Sequence, residues 1–385
     1  MKHKLTRRDF ISESMCTGCS LAAGASIMLN PQTSWSITQP ELTKEISGQE
    51  AKYYEKLDDL KIQCKLCPKE CRVADSERGY CGVRENVKGV YKTLVYGRPC
   101  SLNVDPIEKK PLFHYLPGTS AFSMATAGCN IECKFCQNWD ISQFRPEQIR
   151  MYDLPPQATA KIAHEVRSTT IAYTYSEPVI FYEYMLDTAI AARELGIGSV
   201  MISNGYIQEK PLRELLPNLT GVKIDFKGFT EKFYKETCSG ELKPVLKTLE
   251  IIKEMGVWLE LVILIIPTLN DDDKENQSMC EWIVKHLGAD VPIHLTRYHP
   301  MYKMKNIPYT PVKTLERLHK IALDAGINYA YIGNVPGHPS EHTVCPKCKK
   351  VLIRRIGYRI NIEGLEDGKC KSCGAEIAGV WKQQL

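Results

Sequence analysis

A chain of 385 residues, 43% hydrophobic and 25% charged, is long enough for one large domain with appendages, and this profile excludes a disordered or membrane-embedded protein. The net charge of +5 carries no long Lys or Arg block, so nucleic acid is not expected as the main partner. Sixteen cysteines, mostly in C-x2-C and C-x3-C clusters, favour metal or cluster ligation over a disulfide framework.

In chain order, residues 1–40 come first. "TRRDFI" sets Arg7 and Arg8 side by side with Phe10 just beyond, and Ser14 to Pro40 carries no charge. The pattern predicts a twin-arginine-type leader, hence export or membrane association; the other reading is a loose basic N-terminus. Cys16 and Cys19 fall inside it as signal-region residues or a lipid-attachment point. No other stretch is long enough to span a membrane: "LELVILII", from Leu259, is short, stops at Pro267 and reads as a buried strand.

Residues 50–118 form a Cys-rich segment in which Cys64, Cys67, Cys71 and Cys81 run C-x2-C-x3-C-x9-C. Four ligands close a site, so this predicts structural zinc or an auxiliary iron–sulfur cluster, against unligated thiols or disulfides in an exported protein.

From residue 119 to 337, short β-rich runs alternate with amphipathic ones. The strand candidates are "AFSMATAGC", "TTIAYTYSEP", "GSVMISNGY", "GVKIDFKG", "WLELVILIIP", "VPIHLTRYHP" and "NYAYIGNV". Between them lie helix-period segments such as "VIFYEYMLDTAIAARELG" and "LKPVLKTLEIIKEMG", each ending in Gly. This rhythm predicts an α/β fold with a parallel sheet, a complete or partial TIM-type barrel. Active sites of such barrels sit at the carboxyl ends of the strands. Those ends read Cys129; Ser176 and Glu177; Ser203, Asn204 and Gly205; Asp225 and Lys227; Pro267 with Asn270; His294 and Arg297; Gly333 and Asn334. Each has a plain alternative, such as a solvated acid for Glu177, a surface ion pair for Asp225 and Lys227, or a satisfied core histidine for His294. Their convergence predicts a binding rim.

"AGCNIECKFCQNW" supplies Cys129, Cys133 and Cys136, spaced C-x3-C-x2-C. Three thiolates can hold three irons of a 4Fe–4S cluster and leave the fourth open for chemistry. At residues 338–385, Cys345, Cys348, Cys370 and Cys373 make two C-x2-C knuckles 21 residues apart, resembling a zinc ribbon with a hairpin at "RRIGYRINIE". An auxiliary cluster or a nucleic-acid surface is the alternative there. Cys100, Cys238 and Cys280 stand alone in sequence and read as buried thiols.

The C-x3-C-x2-C run with Phe135 before its last cysteine resembles the signature of the radical S-adenosylmethionine superfamily. The resemblance implies that S-adenosylmethionine chelates the open iron and that one-electron cleavage yields a 5′-deoxyadenosyl radical, which abstracts hydrogen from substrate. It places Ser176 and Glu177 where the superfamily binds the methionine amino group; "YSEP" keeps only the acid of the usual Gly-Gly-Glu-type strand. Asp225 and Lys227, in "DFK", resemble the Asp-x-Lys motif of glycyl-radical activating enzymes, near the methionine carboxylate. His294 matches a position that touches the ribose, and Asn204 and Arg297 are expected contacts to cosubstrate or substrate. "CKLCPKECRV", "GYCGVREN", "DPIEKKPLFHYLPG" and "YIGNV", with the motifs above, look like the AmmeMemoRadiSam-system radical enzyme, related to pyruvate formate-lyase activating enzymes. That resemblance covers about residues 50–385. It implies Memo-like and AMMECR-like partners and an electron donor such as a ferredoxin or flavodoxin, chemistry that belongs to the cytoplasm and conflicts with the leader. The alternatives are an activase that installs a glycyl radical on a partner protein, and a non-catalytic iron–sulfur electron carrier or zinc-ribbon binding module.

Overall fold

The computed structural model of the chain describes residues 40–383. The twin-arginine-type leader, with Arg7, Arg8, Cys16 and Cys19, lies outside them. Among the described residues no helix is long and apolar enough to cross a membrane.

One eight-stranded sheet organises the molecule. Its strands are β1 (Ser101–Pro106), β2 (Ser120–Ala125), β3 (Thr170–Tyr173), β4 (Gly198–Ser203), β5 (Gly221–Asp225), β6 (Leu259–Ile265), β7 (Ile293–Arg297) and β8 (Ala330–Gly333). Each pairs with its sequence neighbour; β1 runs antiparallel to β2 and every later pairing is parallel. The crossovers carry α1 (Pro156–Glu165), α2 (Tyr182–Glu194), α3 (Glu209–Leu215), α4 (Leu242–Glu254), α5 (Asp273–His286) and α6 (Val312–Asp324). All seven expected strands are present, and β1 is an addition: its polar, Pro-terminated "SLNVDP" gives little strand signal. Among the described residues the sheet does not close, because β1 and β8 are its two edges, so the expected complete barrel is replaced by an open α/β sheet. The physical reason is the antiparallel β1, which occupies the place where a further parallel strand would have to join.

The helix-facing side forms the main core, where Phe122, Met124, Ile171, Tyr173, Met201 and Ile224 meet Met185, Leu249, Ile252, Ile283 and Leu315. On the concave side, the "DPIEKKPLFHYLPG" segment seals one end. Its Leu112, Tyr115 and Leu116 pack on Ala121, Ala172, Val200 and Ile202, each burial adding roughly 1.5–3 kcal/mol. Glu260, fully buried on β6, organises this floor. It accepts the N–H groups of Phe113 (2.9 Å) and His114 (2.8 Å) and the Trp258 indole N–H (3.1 Å), and it meets His294 Nε2 at 2.8 Å.

The C-terminal hairpin Val351–Ile356 with Arg359–Ile362 turns at Gly357, as "RRIGYRINIE" predicts. This module is stitched to the floor: the Val380 N–H donates to His114 O, Leu116 N–H to Val380 O and Arg355 Nη2 to Phe113 O. The N-terminal Cys-rich segment folds into two small antiparallel sheets against α2. There Arg84 and Glu183 form a buried ion pair.

Candidate active site and metal centres

The loop leaving β2 carries Cys129, Cys133 and Cys136. It turns sharply because Gly128 adopts φ +97°, a region natural to glycine. Asn130 Nδ2 donates to Tyr206 O at 2.7 Å and Gln143 Nε2 to Ile131 O at 3.3 Å. Two further bonds anchor the loop to a single π-turn at Tyr234–Cys238, from Glu132 N–H to Cys238 O (2.9 Å) and Lys134 N–H to Thr237 O (3.0 Å). Cys238 was read as an isolated thiol; it is buried, and its backbone carbonyl is one of these two anchors. The Cys129 thiol is pushed well up by burial, then by the Glu177 carboxylate and the other two cysteines.

The ends of β3, β4 and β5 face this loop. Glu177 is buried and accepts Ser203 Oγ (2.6 Å), Asn204 N–H (2.8 Å) and Val179 N–H (3.1 Å). Burial pushes its carboxyl up to about 7, although these donors and Lys227 favour the ionised form. Asn204 reaches Asn130 Oδ1 at 2.8 Å and stands 3.9 Å from Cys129 Sγ, which ties the second rim position to the cysteine loop. Asp225 pairs with Lys223 and, at 3.2 Å, with Lys227. Burial would raise Asp225, yet the two ammonium groups hold it down at about 2. Lys223 was missed in sequence; its spacing of two from Asp225 puts both on one face of β5.

Other expected residues stand apart. His294 is bound to Glu260 and packs against Phe113 and Tyr331, with ring centroids at 4.7 and 5.1 Å, so it belongs to the floor. Arg297 donates from Nε to Thr310 O (2.8 Å) and lies over Tyr309. Asn270 bonds the Lys227 and Leu264 carbonyls at 2.9 Å, while Asn334 reaches Arg297 O. Ser176 lies in the rim with its hydroxyl buried and without a hydrogen-bond partner among the described residues.

The C-terminal Cys345, Cys348, Cys370 and Cys373 bring their sulfurs within 4.8 Å of one another, with contacts of 3.7 Å (Cys345–Cys373) and 3.6 Å (Cys348–Cys370). A tetrahedron with metal–sulfur bonds of about 2.3 Å has edges near 3.8 Å, so this group could hold one zinc-sized ion.

The radical SAM superfamily pattern matches residues 124–277, a span holding the three-cysteine loop, Glu177, Asn204, Asp225 and Lys227. The chain is also 44% identical over 330 residues to the uncharacterized protein MJ0808 of Methanocaldococcus jannaschii, covering 85% of this chain and 98% of that protein. It therefore belongs to one family with that archaeal protein, and residues 124–277 carry a radical SAM superfamily domain. A second protein of the same organism, the uncharacterized MJ0674, is 28% identical over 294 residues, 69% of this chain and 79% of its own. Among solved structures, a domain of a pyruvate-formate lyase-activating enzyme from Bacteroides vulgatus is 20% identical, with a TM-score of 0.38 over 42% of this chain and 98% of that one.

Membership makes this an enzyme of the radical SAM class and implies S-adenosylmethionine and a 4Fe–4S cluster; it counts against the non-catalytic carrier or binding module. The residues fit both groups: three thiols on one loop for the cluster, and a buried carboxylate beside an unpartnered Ser176 hydroxyl for a cosubstrate carrying ammonium and carboxylate groups.

Proposed function

We propose that this protein is a radical S-adenosylmethionine enzyme of the AmmeMemoRadiSam type that abstracts hydrogen from its substrate. The reading rests on one observation: the three-cysteine loop and the ends of three consecutive strands, carrying Glu177, Asn204 and the Asp225–Lys227 pair, meet at one rim. When bound, the cluster and cosubstrate supply one-electron cleavage of a sulfonium to a 5′-deoxyadenosyl radical, the chemistry that takes a hydrogen atom from substrate.

The chain's own residues bind, orient and exclude water. Cys129, Cys133 and Cys136 hold the cluster. Glu177, fixed by Ser203 and the Asn204 N–H, offers its carboxylate to the methionine ammonium, and Ser176 adds a hydroxyl. Lys227, kept charged by Asp225, meets the methionine carboxylate. Asn204 orients the space beside Cys129, whereas Arg297, held by Thr310 and Tyr309, is given no role at this rim. Ribose recognition is not assigned to His294, since its ring is occupied by Glu260 and the floor.

Residues 119–337 form the catalytic unit in this reading, 338–385 a zinc-ribbon-like module and 50–118 a metal-binding segment, behind a leader at 1–40. Memo-like and AMMECR-like proteins and a ferredoxin or flavodoxin complete the proposed system. The test is anaerobic: reconstitute with iron and sulfide, reduce, add S-adenosylmethionine and assay 5′-deoxyadenosine beside Cys133→Ala. Release that disappears in the variant supports the reading. No release, with a cluster spectrum indifferent to S-adenosylmethionine, refutes it.

A further inference from the structure

The N-terminal cysteines share the local geometry of the catalytic loop. Glu70 N–H bonds Cys67 O at 3.1 Å just as Cys136 N–H bonds Cys133 O at 3.0 Å, and Cys71 receives the Tyr80 N–H at 3.4 Å. Such N–H to sulfur bonds support thiolate ligands and tune the centre they hold. The strand pairing Cys64 N–H to Cys71 O (2.9 Å) and the turn Glu70 N–H to Cys67 O (3.1 Å) gather the first three residues, and the Gly79–Gly82 turn delivers Cys81.

The sulfur cage differs from that of the C-terminal quartet. Among the described residues, the C-terminal four draw together within 4.8 Å; no three of the N-terminal four do so, and neither does the Cys129 trio. A single tetrahedral ion needs edges near 3.8 Å, whereas thiolates on the separate irons of a cluster stand wider apart.

Placement adds the second argument. A β-carbon on Gly128, the residue before Cys129, would lie 2.8 Å from Cys81 O and 2.6 Å from Val83 Cγ1, so the two cysteine loops touch backbone to backbone. Lys69 Nζ bonds Ser239 O at 2.5 Å, next to Cys238, and Gln208 N–H bonds Leu66 O at 3.0 Å on the far side of the rim. Toward solvent, Cys71 and Cys81 are half-buried, and Tyr80 is 42% exposed.

We propose that Cys64, Cys67, Cys71 and Cys81 hold a second, redox-active iron–sulfur cluster, packed against the catalytic loop and serving as its electron port. It rests on the radical reading above only for the use of the electron. In one turnover a low-potential one-electron carrier protein loses an electron to this outer cluster. The outer cluster is reoxidised by passing that electron inward, and the catalytic cluster is reduced by one. No proton or bond changes place.

The test removes the catalytic cysteines together. Cys129→Ala/Cys133→Ala/Cys136→Ala protein, reconstituted anaerobically, is expected to keep about four irons per chain and a dithionite-induced EPR signal. Zinc in place of iron there, or no metal, overturns the proposal without touching the catalytic assignment. Should the triple variant fail to fold, intact protein is the control: about eight irons and EPR lines broadened by coupling between two adjacent centres are expected, and about four irons overturns the proposal. The relay is read in Cys67→Ser, where the catalytic cluster should keep its S-adenosylmethionine-dependent EPR shift while its reduction by flavodoxin slows several-fold. An unchanged rate refutes the port.

Discussion

The Arg84–Glu183 pair joins the N-terminal Cys-rich segment to α2, and its strength follows from its burial. The two side chains are 1% and 5% exposed. The guanidinium meets both carboxylate oxygens, at 3.1 and 2.5 Å, and donates from Nε to Ile180 O at 3.2 Å, while Glu183 also accepts the Lys52 N–H at 2.7 Å. Arg84→Met leaves a buried carboxylate served by one backbone N–H; Glu183→Leu leaves a guanidinium served by one carbonyl. Each should cost about 3–5 kcal/mol, because an uncompensated charge then stays in the interior. The double variant Arg84→Met/Glu183→Leu buries no charge and should lose far less than the sum of the two. Urea unfolding of the four proteins, followed by circular dichroism under anaerobic conditions, measures the cycle. Single-variant losses under about 1 kcal/mol, or a double-variant loss equal to the sum, would refute the argument.

Three further outcomes are expected. Glu177→Gln keeps an acceptor for Ser203 but removes the charge, so S-adenosylmethionine affinity should fall at least about tenfold in a spectroscopic titration, and equal affinity would remove Glu177 from the site. Burial lowers His114 from 6.5 to about 4 in the folded protein, while Nδ1 donates to Ala378 O at 2.6 Å and Tyr331 OH meets Nε2. Since the unfolded chain binds the proton first, stability present above pH 6.5 should be lost as pH falls toward 4, by about 3 kcal/mol at most; His114→Gln should flatten that part of the pH–stability curve, and a curve unchanged from wild type contradicts the assignment. Cys345→Ser should release one zinc per chain by elemental analysis while leaving iron in place; zinc retained in the variant would show that the ion is held elsewhere.

Much of the architecture was legible because parallel strands are buried on both faces and appear as dense apolar runs, as in β4 and β6. The rim residues Glu177, Asn204 and Asp225 followed from where those runs end. Residues whose roles come from distant partners were hidden. Glu183 looks like any acid on an amphipathic helix until Arg84, 99 positions away, is brought to it. Cys238 has no cysteine near it in sequence, and only the π-turn brings its carbonyl to Glu132 on the three-cysteine loop. His294 was read from its strand end, whereas its neighbour across the strands, Glu260, draws the ring to the floor. Gly128 illustrates the same limit, since nothing local says that Cys81 will occupy the space its missing side chain leaves.

The stitched floor has a consequence for how the chain comes together. Parallel pairing from β2 to β8 joins sequence neighbours, so those contacts form as each crossover is completed. The seal beneath them waits, because His114 closes on Ala378 across 264 positions, and Tyr115 bridges to Val380. Contacts of such separation are slow to find. A chain with its sheet assembled therefore has its floor segment in place but lacks the outer ties from His114 to Ala378 and from Tyr115 to Val380. Those outer ties are thus expected among the later contacts to form, which makes the packing beneath the sheet depend on a module whose own fold is gathered by four cysteines.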